Sequence, residues 1–142
     1  MKTAVPFSIL LVDDDDVAAE AVVRGLRKNA FLCPIVLAED GCIALQILRD
    51  EHATRGIVKP YLVLLDLNMP RMSGFEFLQA LRADGALRAT LVFVLSTSGS
   101  DDDRARAYHE NIAGYMVKSA LGHQLEGLAR FLSEYRAAIL LP

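Results

Sequence analysis

The stretch Tyr61-Leu62-Val63-Leu64-Leu65-Asp66-Leu67-Asn68-Met69-Pro70 decides how the rest of the chain is read. Its first five residues form an apolar run without polar alternation, the pattern of a strand buried on both faces, as in a parallel sheet. The run delivers a carboxylate, Asp66, to the strand's carboxyl end. Pro70 and Gly74 then turn the chain.

Working outward, the same pattern recurs. Residues 8–12 are a short apolar run that ends in Asp13 to Asp16, residues 35–38 a second, residues 91–95 a run ending at Ser96, and residues 113–117 a run ending at Lys118. Helices fill the gaps: apolar residues recur at helical spacing in 17–26 and 41–49, residues 75–83 and 101–110 read as two more helices, and a long C-terminal helix runs from about 120 to 141. Asp15 and Asp16 are placed to cap the first helix and Ser100 the fourth. Five βα units in succession predict an α/β protein with a parallel sheet covered on both faces, where ligands bind outside the carboxyl ends of the strands.

Composition narrows the class. A chain of 142 residues suits one domain, residues 1–142, and 53% apolar with 23% charged residues is an ordinary globular balance. The net charge of -3 offers no basic field for a nucleic acid. Cys33 and Cys42 lack metal or redox spacing and are too few for a disulfide framework. The apolar run at 9–12 is cut off by acids, so neither a signal peptide nor a membrane span is expected, and the cytoplasm is the expected location.

Asp13, Asp14, Asp66, Ser96 and Lys118 should therefore converge on one rim. Three carboxylates in a partly buried site repel one another, and a hard divalent cation relieves the repulsion. Oxygen donors without nearby His or Cys suit Mg²⁺ or Mn²⁺ rather than zinc. Lys118 and Ser96 could hold phosphoryl oxygens, and a carboxylate could then act as nucleophile in an in-line transfer. Each residue also has a plainer reading: the acids as a capped helix start, Lys118 as a surface lysine, Ser96 and Asp66 as turn residues. Joint placement at the strand ends outweighs those readings. Asp101 to Asp103 read as acids favouring a helix N-terminus, and His52, His109 and His123 carry no signal.

The sequence resembles the receiver domains of two-component response regulators, whose type member is the bacterial chemotaxis regulator. The resemblance runs from about residue 9 to about residue 132. It is carried by Ile-Leu-Leu-Val-Asp-Asp at 9–14, Leu-Leu-Asp-Leu-Asn-Met-Pro-Arg-Met-Ser-Gly at 64–74, Val-Leu-Ser-Thr-Ser at 94–98 and Gly-Tyr-Met-Val-Lys at 114–118. It implies a flavodoxin-like, doubly wound (βα)5 fold with strand order 2-1-3-4-5, a phosphoacceptor rather than an enzyme, and phosphotransfer from a sensor histidine kinase to Asp66. It also implies that Asp14 binds Mg²⁺ directly, Asp13 partly through water, and Asn68 through its backbone carbonyl. Ser96 matches the family's switch hydroxyl and Tyr115 its switch aromatic. The lengthened segment 50–60 and the wording around Asp66 resemble the small regulators that partner bacterial phytochromes.

One departure stands out: Ser119 occupies the place of the family's usual proline after the lysine. A cis bond there would cost about 2.5–4 kcal/mol, which leaves a trans or a strained peptide open. Three other functions compete. A haloacid-dehalogenase-type phosphohydrolase needs a second acid where Asn68 stands. A flavodoxin-like electron carrier would meet repelling acids at its phosphate loop. A pseudo-receiver lacks acids or lysine that this chain retains.

Finally, Leu121, Leu125, Leu128, Leu132, Tyr135 and Ile139 repeat at the 4,3 spacing of a coiled-coil seam. A helix from 120 to 141 would span about 33 Å, against about 17–20 Å for a strand of five or six residues. Outrunning the sheet, it would expose an apolar end, predicting a homodimer through this helix unless the tail bends back.

Overall fold

The computed structural model describes residues 6–67, 69 and 72–142. Five parallel strands, β1 (Ser8–Val12), β2 (Ile35–Ala38), β3 (Tyr61–Leu65), β4 (Val92–Ser96) and β5 (Gly114–Val117), lie in the order β2-β1-β3-β4-β5. This is the doubly wound, flavodoxin-like order that the resemblance implies. β1, β3 and β4 are buried along their whole length, which is why they read as unbroken apolar runs.

Alternate residues serve two cores. Leu10, Val12, Val63, Leu65, Val92 and Val94 meet the apolar sides of α2 (Gly41–Leu48) and α3 (Gly74–Ala83). Ile9, Leu11, Leu62, Leu64, Phe93 and Leu95 face α1 (Asp16–Lys28) and α5 (Glu126–Ala138). α4 (Asp101–His109) joins the first layer through Ala107. Caps sit where the sequence places them: Asp15 accepts from the Val17 and Ala18 amides, and Ser100 from that of Asp103.

The C-terminal region differs from expectation. The chain after Lys118 runs through two 3-10 turns, Lys118–Leu121 and His123–Leu125, and α5 begins only at Glu126. Gly122, Gln124 and Leu125 have φ of 81°, 52° and 57°, a left-handed path that no α-helix can follow. With 13 residues, α5 is about 20 Å long and matches the sheet. The expected seam is mostly core: Leu128 and Leu132 are buried, and Leu121, Leu125 and Tyr135 pack against the same layer. Past Ala138 the chain turns extended, and Leu141 folds back onto that layer.

Candidate functional site

Each strand places its last residues at one rim. The amide of Asp13 donates to Ala38 O at 3.0 Å and that of Asp66 to Val12 O at 2.9 Å, so backbone pairing holds both carboxylates beside the ends of β1 and β3. Gly74, opening α3, lets the chain close on itself there: a Cβ would lie 2.5 Å from Leu67 Cα and 2.8 Å from Asp66 O. Asp13 is nearly buried, Asp66 half-buried and Asp14 exposed, and one oxygen from each lies within 4.8 Å of the others. Such a group of hard oxygen donors, partly open to water, has the chemistry of a Mg²⁺ or Mn²⁺ site.

Lys118 reaches in from the end of β5. Its Nζ lies 3.7 Å from Asp13 Oδ2, with the two side chains 22% and 3% exposed. The other Asp13 oxygen accepts the Asp15 amide at 3.0 Å. One ammonium cannot balance three carboxylates, so the rim keeps a surplus of negative charge unless a cation or proton joins it. Among the described residues the cis peptide precedes Pro60, and Lys118 is presented through a trans bond to Ser119.

Ser96, fully buried at the end of β4, accepts the Ser98 amide on Oγ at 3.1 Å. Tyr115, half-buried on β5, donates from its hydroxyl to Ser98 O at 2.7 Å, and its amide donates to Tyr108 Oη at 3.2 Å. Asn68, whose carbonyl was expected on the metal, lies outside the described residues. Two participants had no signal in sequence. Asp103, read as a helix-start acid, accepts the Ser98 hydroxyl at 3.0 Å, and Tyr108 reaches the backbone of β5.

The model of the response regulator receiver domain family matches residues 9–130. The chain belongs to that family. As a receiver domain it is 38% identical over 130 residues to the probable methanogenesis regulatory protein FilR2 of Methanothrix harundinacea, covering 92% of this chain and 83% of that one. The response regulator Rcp1 of Synechocystis sp. is 31% identical over 114 residues, 80% of this chain and 78% of its own. A crystal structure of the Mn²⁺-bound form of Rcp1 matches with a TM-score of 0.80 at 28% identity, over 96% and 99% of the two chains. The phosphorylated cyanobacterial phytochrome response regulator RcpA matches with a TM-score of 0.83 at 31% identity, over 97% and 99%. Among the described residues, no helix of this receiver domain is long and apolar enough to cross a membrane.

Proposed function

We propose that this chain works as a single-domain response regulator of a two-component phosphorelay, in the cytoplasm, taking a phosphoryl group from a sensor histidine kinase onto Asp66. The observation that carries this reading is the meeting of Asp13, Asp14 and Asp66 within 4.8 Å, with the Lys118 ammonium beside Asp13. Asp66, at the centre of the rim, attacks phosphorus in line. An oxygen–phosphorus bond forms as the donor's nitrogen–phosphorus bond breaks, and the electron pair leaves on the histidine nitrogen. Asp13, Asp14 and Asp66 would hold Mg²⁺, which when bound neutralises phosphoryl oxygens; the Mn²⁺-bound form of Rcp1 supports a cation of this class. Lys118 and the Ser96 hydroxyl then favour the phosphorylated state, and Ser96 with Tyr115 reshapes the surface around α4 and β5.

Retention of all three acids and the lysine weighs against a pseudo-receiver that acts without phosphorylation. Likeness to RcpA supports a phytochrome-like kinase as the donor. A second copy of the chain is a further proposed partner, through the α5 region, where Phe131, Ile139 and Leu140 remain exposed.

The decisive experiment is phosphate incorporation from a small acyl phosphate. Wild-type protein should label in Mg²⁺ and lose labelling in excess chelator. Asp66→Asn should not label, because an amide is not an anionic nucleophile. Undiminished labelling of that variant removes Asp66 from its role, and full labelling in chelator removes the metal.

A further inference from the structure

α4 is lightly anchored by packing. Of Asp101–His109 only Ala107 is buried, whereas α3 buries Gly74, Phe75, Phe77, Leu78 and Leu81. Directional polar contacts must therefore do more to set where α4 lies, because each small apolar burial contributes little.

Those contacts sit at both ends of the helix and lead back to Ser96. At the first turn, Asp103 Oδ2 accepts the Ser98 hydroxyl at 3.0 Å, and the Ser98 amide in turn donates to Ser96 Oγ at 3.1 Å. At the last turn, Tyr108 Oη accepts the Tyr115 amide at 3.2 Å, and Tyr115 Oη donates to Ser98 O at 2.7 Å. Ser98 is thus bonded to Ser96, Asp103 and Tyr115 together. From it two short chains of hydrogen bonds run to opposite ends of one helix. A lateral contact, the Arg106 guanidinium 3.8 Å from the centre of the Phe75 ring, holds the middle of α4 against α3.

We propose that Asp103 and Tyr108 are the positioning residues of α4: their bonds to Ser98 and to the β5 backbone carry a movement of Ser96 to both ends of the helix, displacing it as a rigid body. This rests on the receiver reading, in which Ser96 responds to phosphorylation of Asp66. A lone tether would let the helix pivot or fray. Two tethers sharing Ser98 give both ends the same input, which is what a two-position element requires.

The test is residue-resolved amide exchange on the full chain, with and without a small acyl phosphate and Mg²⁺. Tyr108→Phe removes the acceptor oxygen and keeps the ring, so in resting protein the Tyr115 amide should exchange roughly fivefold faster, as expected for loss of one hydrogen bond. Asp103→Ala should loosen the first turn of α4, and Asp103→Asn, whose amide oxygen still accepts from Ser98, should restore it. After treatment with the phosphodonor, Tyr108→Phe and Asp103→Ala should label like wild type. The exchange response along α4 should nevertheless shrink by at least about half, the scale of losing one of two couplings. Should the response stay at wild-type size in both variants, the contacts are local and the proposal is wrong. If wild-type protein does not label at all, the receiver reading fails and the link to phosphorylation fails with it. The resting-state measurements then still decide whether the two bonds hold the helix.

Discussion

Cys33 and Cys42 show how far one side chain's chemistry depends on its surroundings. Burial raises the Cys33 thiol to about 11, only partly opposed by the nearby Arg136 guanidinium, whereas Cys42 is exposed at the start of α2. Thiolate is the reactive form, so Cys33 should be inert at neutral pH. Alkylation with iodoacetamide followed by peptide mass mapping should modify Cys42 and leave Cys33 intact in folded protein. Equal modification of the two would contradict the burial assigned to Cys33. Asp13 makes the same point at the rim: it comes from a run of four acids, but it alone of them has Lys118 across from it.

At the scale of elements, the start of α5 is set by α1. Gly25 brings α1 so close to the turn before α5 that a Cβ there would lie 2.5 Å from Gln124 O, a backbone atom that cannot swing away. The Asn29 amide group bridges the same junction, donating to Gly25 O at 2.8 Å and to Gln124 O at 3.4 Å. Gly25→Ala sets two effects against each other. Alanine favours the helix by about 1 kcal/mol, while forcing apart packed backbone costs typically about 1–3 kcal/mol. With backbone against backbone the clash should win. Urea unfolding should therefore show a destabilised variant, and a gain in stability would mean that the backbone at this junction yields and helix propensity decides the outcome.

Across the whole molecule, polar ties join what the two apolar layers do not. Arg82 donates to the carbonyls of Glu110, Arg88, Thr90 and Asn111, tying the loops before β4 and β5 to α3. Arg55, in the segment 50–60, donates to Glu39 at 2.9 Å and to Leu37 O at 3.0 Å, pinning that segment along the edge strand β2. The hydrogen bond from Arg55 holds the Glu39 carboxyl below its usual range, and hydrogen bonds from the Ala86 amide and then Arg49 do the same for Asp84. A carboxylate depressed in the folded state contributes stability that is present in full above its unfolded value and is lost as pH falls through its folded value. Denaturant midpoints should thus decline on acidification below the ordinary carboxylate range. Glu39→Gln should flatten part of that decline, by no more than about half a kcal/mol because the pair is solvent-screened. An unchanged acid limb in the variant would show that the pair contributes nothing. The exposed Leu140 offers a global check on self-association. Wild type should sediment as a dimer at roughly tens of micromolar, a range typical of transient pairs, and Leu140→Asp as a monomer. A monomeric wild type would end the proposal of a second copy.

The strands, their crossovers and the meeting of Asp13, Asp14, Asp66 and Lys118 were legible in the sequence, because each follows from a local signal. An apolar run of five fits a doubly buried strand, and the residue that ends it must stand at the rim. The C-terminal helix was not legible in this way. Its residues keep helical apolar spacing back to Leu121; what sets the turn before Glu126 is the approach of Gly25 to Gln124, a contact between residues far apart in the chain. The links of Asp103 to Ser98 and of Tyr108 to Tyr115 were hidden for a related reason. A hydrogen bond between a helix and a neighbouring loop or strand has no periodicity. It exists only once packing has placed donor and acceptor within about 3 Å of each other.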